Sequence, residues 1–235
     1  AGGNLATPLR STARTGGYAH PQALGTPLFR DLGPEDHIDW QGDHPVYKNV
    51  YVKPSQGARS LVECGPLLPY SALVEMAAAR PDQDFLGIEV HEPGVGHCLI
   101  KADKAGVSNL KLVVHDAIEV LENQVASGSL SRINLYFPDP WPKKRHHKRR
   151  IVQADFLALC ADRLAPGGAI HIATDWANYA EHIDEAFAAS ADFRCTERRE
   201  HDGDRPLDRP VTKFERRGLR HGHRIVDWRF EKYAL

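Results

Sequence analysis

The sequence predicts an α/β fold with a doubly wound, mostly parallel sheet, helices on both faces and a terminal antiparallel strand. Three features of the 235 residues predict it. Short apolar runs alternate with helix-like segments from Ser71 onward, acidic residues follow the apolar runs, and the last segment alternates polar with apolar residues. Repeated strand–helix units of this length form parallel sheets, and a chain of this size can bury the core of one such domain.

The individual elements follow from the lengths of the apolar runs and from Gly and Pro breaks. Apolar runs typical of buried parallel strands occupy residues 84–90, 110–115, 132–137 and 169–173. Helical segments are predicted at residues 72–80, 93–105, 117–125, 151–164 and 177–189. The charged stretch 197–209 is predicted to interrupt the pattern, and residues 224–233 alternate as a terminal antiparallel strand does.

The first 70 residues have a different character. They are rich in Gly, Pro and polar residues and show no clean helical or alternating period. We therefore predict a poorly determined N-terminal arm over residues 1–70, in which 60–64 is a candidate short strand, and a main domain over residues 71–235.

Composition argues against membrane and metal-binding classes. No apolar run approaches the roughly 18 residues of a membrane span, and the first residues lack an apolar signal core, so we expect a cytoplasmic protein. Cys64, Cys98, Cys160 and Cys195 are far apart and form no CxxC pair, so we expect no metal. The oligomeric state stays open, with a monomer as the simplest case.

Four acidic residues follow the predicted parallel strands. Glu89, Asp116, Asp139 and Asp175 each stand in a strand–helix turn, where a single acid is most simply explained as a helix cap. Four such turns are harder to explain this way, because the carboxyl ends of parallel strands meet at one edge of the sheet, where ligands bind. Acids there suit the hydroxyls and amino group of a nucleoside, and no GxGxxG loop of a dinucleotide site precedes Ala72.

A basic segment begins directly after the third of these acids. Residues 139–150 contain six Lys or Arg residues against one acid, in a chain whose net charge is −1. Pro140 and Pro142 bracket Trp141 and stiffen the backbone beside Asp139, while the cations are placed to hold phosphates. A solvated charge run would explain the cations but not the acid and the tryptophan set among prolines. Trp141 could stack on an unpaired base or pack in the core.

Several motifs together resemble the bacterial, single-chain tRNA (guanine-N7)-methyltransferase family. They are FLGIEVHEPGVG at 85–96, HDA at 115–117, YFPDPWPKKRHHKRRIVQ at 136–153, ATDW at 173–176 and RPVTKFERRGLRHGH at 209–223. The resemblance covers about residues 71–233. It implies a class I methyltransferase, Rossmann-like catalytic domain, S-adenosylmethionine as cofactor, and transfer of a methyl group to N7 of a guanosine in the tRNA variable loop.

The resemblance also implies roles for residues at the matching positions. Asp139 is expected to be the central acid of the active site. The expected cofactor contacts are Glu63, Glu89, Asp116 and Asp139. The expected substrate contacts are Lys143, Asp175, Thr212, Lys213, Phe214 and Glu215. The spacing of Thr212 and Glu215 is equally typical of a helix capping box.

The sequence departs from the family before residue 71. Glu63 and Gly65 match the start of the glycine-rich loop that follows the first strand, but residues 66–70 are Pro, Leu, Leu, Pro and Tyr. This abrupt change suggests an altered reading frame or a local rearrangement in the coding DNA. Two alternatives therefore stay open: a catalytically impaired, tRNA-binding relative of the methyltransferases, and a small-molecule methyltransferase with a basic surface.

Overall fold

A seven-stranded sheet forms the centre of the protein. The computed structural model describes residues 38–39, 46–47, 60–64, 70–90, 92–203 and 208–234. The strands are β1 (Ser60–Cys64), β2 (Asp84–Ile88), β3 (Leu110–Val113), β4 (Leu130–Tyr136), β5 (Leu164–Thr174), β6 (Phe193–His201) and β7 (Ile225–Lys232). Their order in the sheet is β3-β2-β1-β4-β5-β7-β6. A separate antiparallel pair joins Ile38–Asp39 to Val46–Tyr47.

The pairing confirms the predicted mixed sheet. Strands β1 to β5 pair in parallel, whereas β7 is antiparallel to both β5 and β6. The strand 60–64 pairs on one side with β2 and on the other with β4. The chain therefore reverses its winding direction at β1, and a crevice opens there at the carboxyl ends of the strands.

Among the residues that the structure describes, six α-helices connect or flank the strands. They are α1 (Tyr70–Ala79), α2 (Glu92–Lys104), α3 (Ala117–Gln124), α4 (Ala154–Arg163), α5 (Ala177–Ala188) and α6 (Lys213–Arg220). Helix α4 begins later than predicted because the backbone of Val152 bonds to α5 instead: its N–H donates to the Tyr179 hydroxyl and its carbonyl accepts from His182. In the described part of the chain, no helix is long and apolar enough to cross a membrane.

The prediction that residues 197–209 interrupt the pattern is wrong for their first part. Residues up to His201 belong to the edge strand β6, in which Phe193 and His201 at the two ends are buried and the residues between are mostly exposed. An edge strand whose side chains face water needs no apolar alternation, so its sequence looks like a loop.

Two apolar clusters bury the two faces of the sheet. Leu86 and Leu135 belong to the cluster that includes α3, α4 and α5, whereas Phe85 and Leu112 belong to the cluster that includes α1 and α2. Neighbouring residues of β2 thus enter different clusters, as strand alternation requires. Burial on both faces explains why these strands read as continuous apolar runs.

Truncating the centre of the larger cluster should destabilise the fold strongly. Leu135 in β4 is fully buried, so Leu135→Ala should lower the free energy of unfolding by about 2–5 kcal/mol through lost transfer energy and a cavity. Ile100→Ala on α2 is the matched control, because that side chain is 56% exposed and should cost under about 0.5 kcal/mol. Urea unfolding measures both, and equal losses would contradict the assignment of the core.

Candidate active site

The four acids predicted at strand ends do follow four parallel strands. Glu89 follows β2, Asp116 follows β3, Asp139 comes three residues after the end of β4, and Asp175 comes directly after β5. Parallel strands have their carboxyl ends at the same edge of a sheet. The acids therefore lie along the edge where the crevice opens at β1.

Glu89 is a buried carboxylate on this edge, with 2% of its surface exposed. Its N–H donates to the carbonyl of Val113, which continues the β2–β3 ladder, and its carboxylate accepts from the N–H of Val90 at 2.8 Å. Two residues earlier in β2, Gly87 is paired in register with Glu63 of β1. Gly87 is a glycine, so no side chain stands at its position beside the Glu63 backbone.

Asp116 caps helix α3. Its Oδ1 accepts from the N–H groups of Ile118 (2.8 Å) and Glu119 (3.2 Å), which satisfies two free donors of the first helical turn. The helix-cap interpretation is therefore confirmed for this acid. Capping uses Oδ1, and the side chain is exposed at the edge.

The loop that carries Asp139 is held in an unusual conformation. Phe137 (φ 54°) and Trp141 (φ 43°) adopt left-handed backbone angles that residues with a Cβ rarely take. Buried Arg150 stabilises this loop: its Nε donates to the Pro140 carbonyl at 2.9 Å, and its Nη2 donates to Asn178 of α5 at 2.8 Å. The loop is thereby fixed on the sheet edge while Asp139 stays exposed.

The basic segment forms a 3-10 helix, Lys144–Arg149. Lys143, Lys144, Arg145, Lys148 and Arg149 are exposed. The sixth cation of the predicted surface, Arg150, does not belong to it, because its guanidinium is buried and bonded within the protein. Trp141 is half-buried, with the Arg149 guanidinium 5.0 Å from its ring centre and His146 edge-on at 5.9 Å, so it is neither a core residue nor a bare stacking platform.

Helix α6 and its N-cap place residues 212–215, the predicted substrate contacts, at the same edge of the sheet. The Phe214 ring stacks on Phe137 at a centroid distance of 6.4 Å, close in sequence to Asp139. Gly218 lies against Asp175, so near that a Cβ on the glycine would stand 2.5 Å from Asp175 Oδ2. His223, just after the helix, is 3.0 Å from the same oxygen. Segment 212–215, Asp175 and the Asp139 loop are therefore neighbours.

Thr212 and Glu215 form the capping box that their spacing predicts. The Thr212 hydroxyl accepts from the Glu215 N–H at 3.1 Å, and Glu215 Oε2 reaches back to the Thr212 N–H. Both residues are 1% exposed, whereas Lys213 is exposed and Phe214 is half-buried. The Lys213 ammonium lies 5.0 Å from the Phe214 ring centre.

A network of buried polar and charged side chains contacts helix α6, and nothing in the sequence indicates it. Its centre is Asp227 of β7, whose two carboxylate oxygens accept from Nε and Nη2 of Arg209 at 2.6 and 2.8 Å. His201 approaches the same carboxylate at 3.0 Å, and Arg209 also donates to Glu215. Asp227 stands in a segment whose alternation predicts only a strand, and a lone acid there does not indicate burial.

His171 of β5 extends this network toward β4. Burial lowers the pKa of His171 to about 4, partly offset by the hydrogen bond to Asp227 and assisted by the charge of Arg132. The neutral ring has one consistent tautomer: Nε2 donates to Asp227 at 3.1 Å, and Nδ1 accepts from Arg132 and from the Tyr136 hydroxyl.

Asp227 and Arg209 are both charged. Burial opposes ionisation of Asp227, but the hydrogen bond from His171 and the bonds and charge of Arg209 hold its pKa below its usual range. Burial likewise opposes the charge on Arg209, but Asp227 and Glu215 outweigh it and raise the pKa of the guanidinium. A buried pair of this kind is satisfied only while both partners remain, because a buried charge without its partner is costly.

Within the residues that the structure describes, no group of three or more His, Cys, Asp or Glu side chains is arranged to hold a metal ion.

Comparisons with known proteins identify the relatives of this chain. A protein family described as "Putative methyltransferase" matches residues 70–228. The chain is 55% identical over 156 residues to the tRNA (guanine-N(7)-)-methyltransferase of Halorhodospira halophila, a match that covers 66% of this chain and 68% of that protein. It is also 55% identical over 161 residues to the protein of the same name from Shewanella piezotolerans, a match that covers 68% of each.

A solved structure shares the fold at low sequence identity. It is a mutant of the 16S rRNA (adenine(1408)-N(1))-methyltransferase from Catenulisporales acidiphilia with cosubstrate SAM, and it has a TM-score of 0.52. The identity is 16%, over 76% of this chain and 88% of that chain.

The strand order and the likeness to this solved structure define the class I methyltransferase fold. The family model and the identity to two relatives narrow this further. The chain belongs to the bacterial tRNA (guanine-N(7)-)-methyltransferase family.

The buried neutral histidine makes stability depend on pH. Because the folded state holds the pKa of His171 at about 4 and the unfolded state near 6.5, only the unfolded state gains a proton between these values. Stability is therefore full above about pH 6.5 and falls as the pH drops toward 4. From pH 7 to pH 5 this histidine should remove about 2 kcal/mol from the free energy of unfolding.

Urea unfolding of His171→Gln at both pH values tests this dependence. The variant should lose distinctly less stability between pH 7 and pH 5 than the unmodified chain. His97→Gln, which removes an exposed histidine, is the control and should follow the unmodified chain. Parallel pH curves for all three proteins would contradict the neutral, buried state of His171.

Proposed function

We propose that this chain transfers the methyl group of S-adenosylmethionine to N7 of a guanosine in the variable loop of tRNA, at the sheet edge that carries Asp139. The observation that supports it most is the convergence of the Asp139 loop, Asp175 and helix α6. Phe137 stacks on Phe214, and Gly218 lies against Asp175. The substrate class comes from the names of relatives at 55% identity, which favour the active enzyme over an impaired, RNA-binding form.

The acids of β2 and β3 fit S-adenosylmethionine. Glu89 is a buried carboxylate at the end of β2, suited to accept from the ribose hydroxyls, and Asp116 retains its Oδ2 for an adenine amino group. Gly87, which is paired with Glu63, has no side chain that could occupy the cofactor site. We assign Glu63, Glu89, Asp116 and Asp139 to the cofactor. Residues 65–69, which follow β1, lie outside the described residues.

Catalysis of this transfer depends mainly on the alignment of guanine N7 with the methyl group. S-adenosylmethionine supplies an electrophilic methyl group on sulfur. Guanine N7 carries an exposed lone pair, so no side chain has to remove a proton before the attack. Residues that fix the purine in line with the methyl group therefore give most of the rate enhancement.

Asp139 is assigned a second, electrostatic role. Methylation leaves the purine positively charged, and a carboxylate beside the ring attracts that charge as it develops. At about 4 Å and an effective dielectric constant near 20, the attraction is on the order of 4 kcal/mol before desolvation is subtracted. Asp175 and Glu215 accept from the N1–H and N2–H₂ groups of guanine, with Thr212, Lys213 and Phe214 beside them.

The exposed cations hold the RNA backbone. Lys143 and the 3-10 helix place five cations directly after the Asp139 loop, and each has its charge at the surface. A row of cations tracks phosphates without reading sequence, so it positions the RNA while the acids recognise the base.

Removing the central acid should separate catalysis from binding. Asp139→Ala should abolish methyl transfer to tRNA, whereas tRNA binding should stay within a few fold because the cations are intact. Glu122→Ala, an exposed acid on α3, is the control and should leave both unchanged. Methyl incorporation and filter binding measure the two properties. If Asp139→Ala weakened binding as strongly as catalysis, the assigned role would be wrong.

Removing two cations should alter the salt dependence of binding. Lys143→Ala combined with Arg149→Ala should weaken tRNA binding and reduce the slope of log K against log salt by about 0.7–0.9 for each phosphate that is no longer neutralised. The control removes two charges at the far end of α2, Lys101→Ala with Lys104→Ala, which lies away from the active-site edge. Equal changes of slope in the two double variants would contradict a localised RNA surface.

A further inference from the structure

Arg209 connects the sheet to helix α6 from a fully buried position. Its Nε and Nη2 donate to the two oxygens of Asp227, and its Nη1 donates to Glu215 Oε2 at 2.5 Å. The guanidinium also lies 5.3 Å from the ring centre of Tyr136 and 5.5 Å from that of Phe137. One side chain thus contacts β7, the strand that leads to Asp139, and the first turn of α6.

The two hydrogen bonds to Asp227 fix the orientation of the planar Arg209 guanidinium. They thereby fix the direction of the Nη1 donor that contacts Glu215. Two parallel hydrogen bonds to one carboxylate set the plane and rotation of an arginine, which a lysine ammonium cannot do. Asp227 is itself held by His171 and His201, at 3.1 and 3.0 Å. The Arg209 Nη1 donor that meets Glu215 is therefore held by the sheet and does not follow movements of α6.

The Glu215 carboxylate is held through one oxygen. Within the described part of the chain, Oε2 takes both the Arg209 and the Thr212 contacts. These two contacts set the orientation of the carboxylate and thereby the position of its other oxygen, Oε1.

We propose that Arg209 is a positioning residue for base selection: it orients Glu215 so that Oε1 accepts from the N2–H₂ group of the target guanine. This rests on the proposed function, in which Glu215 contacts the base. A site built to accept a hydrogen bond discriminates against a base that lacks the donor, because the buried acceptor is then left unpaired. Hypoxanthine, the base of inosine, is that base, since it keeps N7 and N1–H and lacks the amino group. Discrimination between the two bases therefore reports the orientation of Glu215.

The test compares methyl transfer to two ligated tRNAs that carry guanosine or inosine at the modified position. The unmodified chain should prefer guanosine in kcat/KM by about tenfold or more. Arg209→Lys keeps the positive charge but removes the planar guanidinium. It should reduce the preference for guanosine to about twofold, mainly through slower guanosine turnover. Glu215→Gln should lose the preference as well.

Asp208→Asn is the matched control. Asp208 precedes Arg209, is half exposed and pairs with Arg80 and Arg132, and asparagine tolerates its left-handed backbone (φ 39°). It should keep the guanosine preference of the unmodified chain. Thermal unfolding of each variant identifies a loss of folded protein, and Asp227→Asn is the second variant if Arg209→Lys does not fold.

The outcomes separate the two proposals. A folded Arg209→Lys that keeps the full preference overturns the positioning role and leaves the proposed function standing. An unmodified chain that methylates both tRNAs equally also overturns it, because Glu215 then does not read the amino group. No methylation of the guanosine tRNA by the unmodified chain overturns the proposed function itself.

Discussion

The ion pair between Asp227 and Arg209 is the interaction on which the arrangement of the site depends. Both charges are buried: His171 and Arg209 hold the pKa of Asp227 below its usual range, and Asp227 and Glu215 raise the pKa of Arg209. Through this pair the antiparallel strand β7 holds Glu215 and the first turn of α6, and α6 in turn lies on Asp175. The helix is too short to be stable alone, so tertiary contacts must hold it in place.

A second buried arginine has a comparable role on the other side of the site. Arg150 ties the Pro140 carbonyl to Asn178, so the loop between β4 and the basic helix rests on α5. The left-handed residues Phe137 and Trp141 stand in the same loop, and conformations of this kind persist only where surrounding contacts impose them. Asp139 is thus exposed but carried by a rigid segment, which suits a group whose task is alignment.

The parts of this protein that local patterns encode could be predicted from its sequence. Apolar runs identified the parallel strands because both faces of the sheet are buried, and Thr212 and Glu215 indicated a capping box that the structure contains. The parts that depend on tertiary contacts could not be predicted in this way. The exposed edge strand β6 has no apolar period, and the burial of Arg150, Arg209 and Asp227 follows from pairings between residues far apart in the chain.

The product formed on tRNA tests the central claim most directly. The chain is incubated with tRNA and S-adenosylmethionine bearing an isotopically labelled methyl group. One portion of the RNA is digested to nucleosides and another to oligonucleotides, and mass spectrometry of the two identifies the labelled nucleoside and its position. A site that aligns guanine N7 beside Asp139 predicts label in 7-methylguanosine at one position of the variable loop. Label in any other nucleoside, or no transfer by a chain that binds both substrates, would contradict it.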